Sequence, residues 1–338
     1  MGWTEIAATF HDCDDDQALR ILLVDNRAND LATYDDTALA DLLQQIAATD
    51  LGLDGTLYDG DALDQLIHDL GREDEIGVDA PETAPAITQL GDIWLLGEHR
   101  LMCGDSLDIA NLDRLMNGRQ AGCVLTDPPY GINLDTDYTK LETSSKKTLL
   151  KGVGANKYKP VSGDDRPFDA SDIYTFYADT KEQFWFGADY YRRTLPDDDL
   201  AGSWLVWDKR TESSDAGFGS GFELIWSRNR HKRTLLRFFF FAAFGVEARN
   251  RYHPTQKPTP LLKEIITRWT DEKAIIADPF AGSGSTLIAA HITGRICYTM
   301  ELDPQYCDII GARYQKQTGD LPRLEATGET HNFIPDAD

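Results

Sequence analysis

The chain has 338 residues, 41% hydrophobic and 27% charged, with 57 acidic residues, 33 basic residues and a formal net charge of −24. This length and hydrophobic content exclude a wholly disordered chain and allow one large domain or two smaller ones. No apolar run reaches membrane-spanning length, no secretory signal is visible, and the five cysteines form no Cys-x-x-Cys pair, so we expect a cytoplasmic protein without disulfides, membrane contact or a metal site.

The acidic charge is concentrated near the amino terminus. Residues 1–98 hold 23 acidic and 3 basic residues, a net charge of −20, whereas residues 99–338 hold 34 and 30 and are nearly neutral. Two basic clusters lie in this second part: six lysines between Tyr138 and Pro160, and five basic residues between Arg228 and Arg237. Each cluster fits either a solvated face or a surface that contacts phosphates.

Residues 1–71 predict a small helical appendage. A strand-like stretch over residues 4–10 precedes three segments with apolar residues at helical spacing, which are residues 17–24, 37–48 and 61–70. Residues 72–91 combine Pro, Ala, Thr and acidic residues without apolar periodicity and predict a linker.

From residue 92 onward, predicted strands and helices alternate. A hairpin is expected around Gly97-Glu98, between strands at 93–96 and 100–103. Further strands are expected at 123–126, 183–186, 204–207, 224–226, 274–277 and 296–300, and helices at 261–269, 286–292 and 305–315. This pattern predicts an α/β domain with a doubly wound, mostly parallel sheet over residues 92–320, followed by a tail at 321–338. The long polar stretch 133–165 predicts a mobile basic loop.

The tetrapeptide Asp127-Pro128-Pro129-Tyr130 directly follows a predicted strand. The exocyclic amine of a nucleobase is a poor nucleophile because its lone pair is delocalised into the ring. Two rigid acceptors, the Asp127 carboxylate and the Pro128 carbonyl, could bind both N–H groups and favour a tetrahedral nitrogen. Tyr130 could stack on the base.

A second motif, Asp278-Pro279-Phe280-Ala281-Gly282-Ser283-Gly284, joins a predicted strand to a helix. Its glycines allow close approach of the backbone to a ligand, and the helix amino terminus offers free amides. Leu287 replaces the third glycine of a dinucleotide fingerprint and no lysine follows Gly284, so neither that fingerprint nor a phosphate-binding P-loop is predicted. Glu301 ends the next strand, where a carboxylate can accept two ribose hydroxyls.

In this order, the motifs resemble amino-group DNA methyltransferases of the permuted beta class, which use S-adenosylmethionine. Asp-Pro-Pro-Tyr precedes Phe-x-Gly-x-Gly, and the segments Leu101–Ser106, His253–Pro258 and Gly294–Tyr306 also match the family. The resemblance covers residues 92–318. It implies a circularly permuted Rossmann-like methyltransferase fold, S-adenosylmethionine as cofactor, double-stranded DNA as partner and a homodimer as oligomeric form.

The resemblance assigns roles to individual residues. The catalytic residues are Asp127, Pro128, Pro129 and Tyr130. The cofactor-binding residues are Asp105, Thr255, Gln256, Lys257, Asp278, Phe280, Ala281, Gly282, Ser283, Gly284, Thr286, Glu301 and Asp303. The basic clusters contribute the expected DNA contacts, which are Lys140, Lys146, Lys147, Lys151, Lys157, Lys159, Arg228, Arg230, Lys232, Arg233 and Arg237. Residues 227–252 form the candidate target-recognition region.

The amino-terminal segment resembles the tail of a ParB/sulfiredoxin-like domain, which some phage and prophage methyltransferases carry. The matching pieces are Gly2–Ile6, Leu23–Arg27 and Leu31–Asp35. The front of such a domain, with its nucleotide-handling motif, is absent from this sequence, so no ParB-type nuclease or nucleotidase activity is assigned. The negative charge of this segment should keep it away from DNA.

The residues favour methylation of adenine N6 in duplex DNA, with the base flipped out of the stack. Cytosine N4 is the close alternative because the chemistry is the same, although relatives that modify cytosine more often carry Ser at the position of Asp127. A protein amide or an RNA amine is a second alternative. A non-catalytic ParB-like DNA-associated protein is the third, which loss of S-adenosylmethionine binding would favour.

Overall fold

The computed structural model describes residues 13–27, 39, 42, 43, 46, 52–58, 85–134, 136, 161–195, 202–209, 220–238 and 256–334. The chain divides into two compact units, residues 1–70 with 211–215 and residues 71–210 with 216–338. The predicted strand at 4–10 and the predicted helix at 61–70 lie outside the described residues.

The smaller unit contains helix α1 (Asp15–Arg27), which overlaps the predicted helix at 17–24. Acidic residues in its first turn interact favourably with the positive end of the helix dipole. The buried Arg20 side chain donates to the Gly52 carbonyl at 2.6 Å and so ties the helix to residues 52–58. A small buried cluster completes the described part of this unit and consists of Leu39, Leu43, Ile46 and Tyr58.

The larger unit is built on one sheet, in which the described residues supply ten strands. They are β1 (Ile93–Leu96), β2 (His99–Cys103), β3 (Cys123–Thr126), β4 (Glu182–Phe186), β5 (Ser203–Asp208), β6 (Phe222–Ser227), β7 (Thr234–Arg237), β8 (Ile275–Asp278), β9 (Ile296–Glu301) and β10 (Arg323–Leu324). The predicted strands are therefore confirmed, with bounds that shift by one or two residues at most.

The strands follow the order β10-β1-β2-β9-β8-β3-β4-β6-β5-β7 across the sheet. The five central strands, β2, β9, β8, β3 and β4, are all parallel, so their carboxyl ends share one edge. Strands β8 and β9 come late in the chain but insert between β2 and β3. This order brings the loop after β8 beside the loop after β3, although about 150 residues separate them in sequence.

Six helices and a short 3₁₀ turn at Arg192–Thr194 accompany the sheet among the described residues. The helices are α2 (Ile109–Met116), α3 (Ser171–Phe176), α4 (Ala188–Tyr191), α5 (Thr259–Trp269), α6 (Ser285–Ile292) and α7 (Pro304–Thr318). Helix α5 begins two residues earlier than predicted, because Pro260 fits the first turn of a helix, where its missing N–H is not needed.

Two buried clusters show that the sheet is covered on both faces. Side chains alternate between them along each strand: Cys123 and Leu125 of β3 join one cluster, and Val124 joins the other. Helices α5, α6 and α7 contribute to the first cluster, and α2, α3 and α4 contribute to the second. The predicted doubly wound α/β fold is therefore confirmed.

Three short helices and strands β7 and β10 are absent from the predicted elements; β10 lies in the predicted tail and pairs with β1. Helices α3 and α4 span only six and four residues, too few to establish a clear apolar period. Helix α2 carries Leu112, Leu115 and Met116 at helical spacing, so its signal was present in the sequence. Strand β7 carries the end of the second basic cluster, where charged residues obscure the alternation. Within the described ranges, no helix is long and apolar enough to cross a membrane, and no group of three or more His, Cys, Asp or Glu side chains could hold a metal ion.

Candidate active site

A cavity of about 880 Å³ opens at the carboxyl edge of the parallel strands. The loop after β3 contributes all of residues 127–130 to its lining. The loop after β8 contributes residues 278–283, and the end of β9 contributes residues 300–303. The two motifs singled out in the sequence therefore face one shared space.

Both carboxylate oxygens of Asp127 are engaged in the structure. Its Oδ1 accepts a hydrogen bond from the Tyr130 hydroxyl at 2.6 Å, and its Oδ2 accepts one from the Lys257 ammonium at 2.6 Å. A carboxylate has about four lone-pair positions, so Asp127 retains capacity for another donor. The first residue of the tetrapeptide is thus held rigidly as an acceptor.

A second ion pair adjoins the first. The Lys209 ammonium donates to Glu223 Oε1, and Glu223 Oε2 lies 3.5 Å from the Lys257 ammonium. Two carboxylates and two ammonium groups therefore line one part of the cavity, so their charges cancel. We call Asp127, Lys257, Glu223 and Lys209 the charge cluster.

Burial and neighbouring charges shift the proton affinities of this cluster. Burial raises the pKa of Asp127, and the Lys257 ammonium opposes that rise. Burial acts to lower the pKa of Lys257, but the Asp127 and Glu223 carboxylates outweigh it and raise that pKa above its ordinary value. The pKa of Glu223 is lowered because the two ammonium groups outweigh its burial. Lys257 therefore stays charged at neutral pH.

Tyr130 makes a stacking contact within the protein. Its ring lies parallel to the Tyr190 ring, with the ring centroids 5.2 Å apart and an interplanar angle of 9°. Tyr190 is 59% exposed and lines the same cavity. Gly187 backs Tyr130 so closely that a Cβ at this position would overlap the ring. Tyr130 thus orients Asp127 through its hydroxyl, and an exposed aromatic side chain lies beside its ring.

Asp164 stabilises the chain that follows the tetrapeptide. This buried carboxylate accepts hydrogen bonds from the backbone N–H groups of Gly131 (2.8 Å), Ile132 (3.2 Å) and Leu134 (2.7 Å). The Asn133 N–H donates to the Asp164 carbonyl at 2.8 Å. Both ends of the predicted lysine-rich loop are therefore fixed beside Tyr130.

Glu301 lies half-buried at the end of β9 and lines another part of the cavity. Its Oε2 accepts from the Gly282 N–H and its Oε1 accepts from the Asp303 N–H, each at 2.9 Å. Burial raises the pKa of Glu301 to about 7, against the opposing effect of these amides. The Leu302 N–H also acts on this carboxylate, which has about four acceptor positions and so retains room for a further donor.

The loop after β8 is held by side chains from three elements. The Asp278 carboxylate accepts from the Thr126 hydroxyl at 3.1 Å and from the Phe280 N–H at 3.2 Å. Burial raises the pKa of Asp278 to about 6, although hydrogen bonds oppose the rise. The Gln256 amide oxygen accepts from the Ser283 hydroxyl at 3.1 Å.

Most of the other predicted cofactor residues also line the cavity; these are Asp105, Ala281, Thr286 and Asp303. Gly284 does not line it; its positive φ of 83° places it as the N-cap of α6, where a Cβ would press against Ile310. Lys257 lines the cavity, but its ammonium contacts Asp127 and Glu223. Thr255 lies outside the described residues.

Four residues of the second basic cluster do not line the cavity, and their contact with DNA stays a prediction. Strand β6 runs antiparallel to β4, so the turn after it lies at the amino edge of the parallel strands. The Arg228 N–H donates to the Gln183 carbonyl at this edge. Arg228, Arg230, Lys232 and Arg233 therefore lie away from the cavity, and the geometry does not favour them as contacts beside a bound base.

Arg237 is placed differently from the rest of its cluster. It ends β7 at the carboxyl edge, is exposed, and lies 3.5 Å from Asp208. It therefore remains a candidate DNA contact. The six lysines of the first cluster, Lys140, Lys146, Lys147, Lys151, Lys157 and Lys159, lie outside the described residues.

Lys209, Glu223 and Tyr190 are three polar or aromatic cavity residues that the sequence did not single out. Lys209 and Tyr190 each follow a predicted strand closely, and polar or aromatic residues after strands of such a sheet often face its ligand site. That signal was available for both of them. Glu223 begins an antiparallel strand, and no sequence pattern relates it to Asp127.

Residues 156–312 match the family model N6_N4_Mtase, described as DNA methylase. The match includes the loop after β8 and Lys257, whereas Asp127–Tyr130 precede it. This segment of the chain is therefore similar to the DNA methylase family.

Curated relatives match over shorter stretches. The putative methylase YubD of Escherichia coli K12 is 51% identical over 57 residues, which are 17% of this chain and 25% of that protein. The type II methyltransferase M2.MboI of Moraxella bovis is 30% identical over 115 residues, 34% of this chain and 41% of that protein. This chain thus spans less than half the length of either relative.

Solved structures align with this chain at low sequence identity and low TM-score. The M1.HpyAVI–SAM complex aligns at 18% identity over 62% of this chain and 96% of that chain, with a TM-score of 0.40. The cytosine-N4-specific PvuII DNA methyltransferase aligns at 16% identity over 64% of this chain and 86% of that chain, with a TM-score of 0.39.

Proposed function

We propose that this protein transfers a methyl group from S-adenosylmethionine to the exocyclic N6 of adenine in double-stranded DNA. The observation that carries the proposal is the shared cavity, into which Asp127–Tyr130 and Phe280–Ser283 both open. One loop offers fixed acceptors for an amine, and the other offers a backbone cradle for a cofactor. The match to the DNA methylase family supports the same reaction class.

The residues around Glu301 fit S-adenosylmethionine. Glu301 is a half-buried carboxylate that lines the cavity and can accept further hydrogen bonds, as the ribose hydroxyls of the cofactor require. Gly282 lines the cavity and adopts a positive φ of 53°, which favours glycine. Because glycine has no side chain, a ligand can approach the backbone closely at this position. Asp105, exposed at the cavity wall, would bind the adenine amine of the cofactor. When bound, the cofactor supplies an electrophilic methyl group.

The chain itself supplies orientation and proton acceptance. Asp127 and the Pro128 carbonyl would accept the two N–H bonds of a flipped base and direct the nitrogen lone pair outward. Tyr130 fixes the Asp127 carboxylate through its hydroxyl, and Pro128 and Pro129 restrict the backbone. Once the nitrogen gains a methyl group it must lose a proton, and the hydrogen-bonded Asp127 carboxylate is placed to accept it. By resemblance, Asp at the first position favours adenine over cytosine.

The test is a methyl-transfer assay with labelled S-adenosylmethionine and duplex DNA, followed by digestion and separation of the nucleosides. We expect the label in N6-methyldeoxyadenosine. Label in N4-methyldeoxycytidine would change the target base but keep the methyl-transfer reaction, and label absent from every nucleoside would contradict the proposal. Single-molecule sequencing of DNA from cells that express the protein then gives the sequence context.

Cofactor affinity should depend on pH through Glu301. Burial places its pKa at about 7, and ribose hydroxyls that donate to the ionised carboxylate would lower that pKa on binding. Binding therefore releases a proton, so affinity rises with pH and levels off above about pH 7. Calorimetry in buffers of different ionisation enthalpy measures this release. Glu301→Gln should bind more weakly and independently of pH; a flat profile in the unmodified protein would contradict this role.

A further inference from the structure

Lys257 is joined to the proposed base-binding carboxylate. Its ammonium lies 2.6 Å from Asp127 Oδ2, 3.5 Å from Glu223 Oε2 and 3.5 Å from the Tyr130 hydroxyl. The side chain is buried, at 7% exposure, yet it lines the cavity. An acceptor and a charged donor therefore stand side by side where the target amine would bind.

The ammonium is held in this position from several sides. Glu223 attracts it and is itself bound by Lys209, whose ammonium lies over the Trp207 ring, 4.5 Å from the centroid. The Phe186 ring lies 5.2 Å from the Lys257 ammonium. The contact with Glu223 does not involve Asp127. Lys257 therefore keeps an ionic partner, and stays a charged donor, when Asp127 binds a substrate.

The hydrogen-bonding edges of the bases divide into two patterns. In adenine the N6 amine donates beside N1, which accepts, and in cytosine the N4 amine donates beside N3, which accepts. Guanine and thymine reverse this order, with a carbonyl acceptor beside an N–H donor. In each case the two groups are attached to one ring carbon, so partners that bind both must themselves lie close together.

We propose that Lys257 donates a hydrogen bond to the ring nitrogen next to the target amine, while Asp127 accepts from the amine. The inference rests on the proposed function and names a second point of base recognition. The 2.6 Å between Asp127 Oδ2 and the Lys257 ammonium matches the side-by-side partners that an amine and a ring nitrogen need. Guanine or thymine would place its N–H against the ammonium and its carbonyl against the carboxylate, so the pair rejects both.

This hydrogen bond should act on binding more than on the chemical step. It forms equally before and during methyl transfer, because the ring nitrogen does not react. Losing a hydrogen bond to a charged donor should therefore raise KM by roughly ten- to a hundredfold while kcat changes little.

The test uses duplex DNA whose mapped target adenine is replaced by 1-deazaadenine, which keeps the amine but has a C–H in place of N1. The matched control carries 7-deazaadenine, which keeps N1. Replacing N1 also weakens base pairing in the duplex and makes base flipping easier. Easier flipping would lower KM, so a rise in KM cannot be caused by the change in pairing. If the modified base is cytosine, 3-deazacytosine is compared with cytosine.

We expect 1-deazaadenine to raise KM and 7-deazaadenine to leave it nearly unchanged. In Lys257→Met the two analogues should behave alike, because the donor is gone. Equal KM values in the unmodified protein, or a loss confined to kcat, would overturn the role of Lys257 and leave the proposed methyl transfer intact. If unmodified DNA of every sequence fails as a substrate, the proposed function fails, and this inference fails with it.

Discussion

Asp127→Ala should abolish methyl transfer while leaving S-adenosylmethionine binding nearly unchanged. The substitution removes the acceptor that both Tyr130 and Lys257 hold in place, and the amine loses its fixed partner. Loss of one preorganised hydrogen-bond partner in an active site typically costs about 10²–10³ in kcat. The cofactor residues Glu301 and Gly282 belong to other loops and make no contact with Asp127 that would transmit the change.

Asp127→Asn provides the graded control. It keeps the shape and one acceptor oxygen but loses the charge that faces Lys257. We therefore expect activity to fall in the order Asp, Asn, Ala, with cofactor affinity equal in all three by calorimetry. Glu223 remains 3.5 Å from Lys257, so the buried ammonium keeps a partner and the fold should survive. An active Asp127→Ala protein would count decisively against the mechanism.

Gly187→Ala should displace the Tyr130 ring and so disrupt the proposed base-binding site. Gly187 follows β4 with a positive φ of 59°, and a methyl group there would overlap the Tyr130 ring. Displacing Tyr130 also displaces Asp127, because the Tyr130 hydroxyl donates to that carboxylate. A shift of about 1 Å in a catalytic group can cost on the order of a hundredfold in rate. We expect a comparable fall in kcat, together with a lower melting temperature.

Gly118→Ala is the matched control for backbone strain. Gly118 has a similar positive φ of 69°, but no atom lies within 4 Å of the position its Cβ would take. Both substitutions impose the left-handed penalty of roughly 1–2 kcal/mol, so both should lower stability. Only Gly187→Ala should reduce methyl transfer in the fraction that remains folded. Equal activity in the two variants at matched folded fractions would show that Gly187 does not position Tyr130.

Within the charge cluster, burial and the Lys257 ammonium act in opposite directions on the pKa of the largely buried Asp127 carboxylate. Burial alone would favour protonation of Asp127, which would turn one acceptor oxygen into a donor. The adjacent Lys257 ammonium opposes this effect, and Glu223 with Lys209 compensates the added positive charge. The site therefore combines largely buried charged groups, whose hydrogen bonds are strong, with a neutral total charge.

Several features were readable from the sequence alone. The strands flanking Asp127 and Phe280 are short apolar runs bounded by turn residues, so their positions follow from local composition. The acidic residue at the end of the next strand marked Glu301 as a candidate ligand, and the structure places it in the cavity lining. The positions of these residues were predictable because turns, strand ends and glycine-rich loops depend on neighbouring residues.

Other features were decided only by the tertiary structure, because they depend on residues far apart in the chain. The pairing of Lys257 with Asp127 joins residues 130 positions apart, and the placement of Glu223 depends on how β6 lies against β4. The antiparallel direction of β6 also moves four arginines and lysines of a basic cluster to the edge opposite the cavity, which composition alone cannot reveal. Strand order and direction, set by packing of the whole sheet, thus determine which side chains meet at the site.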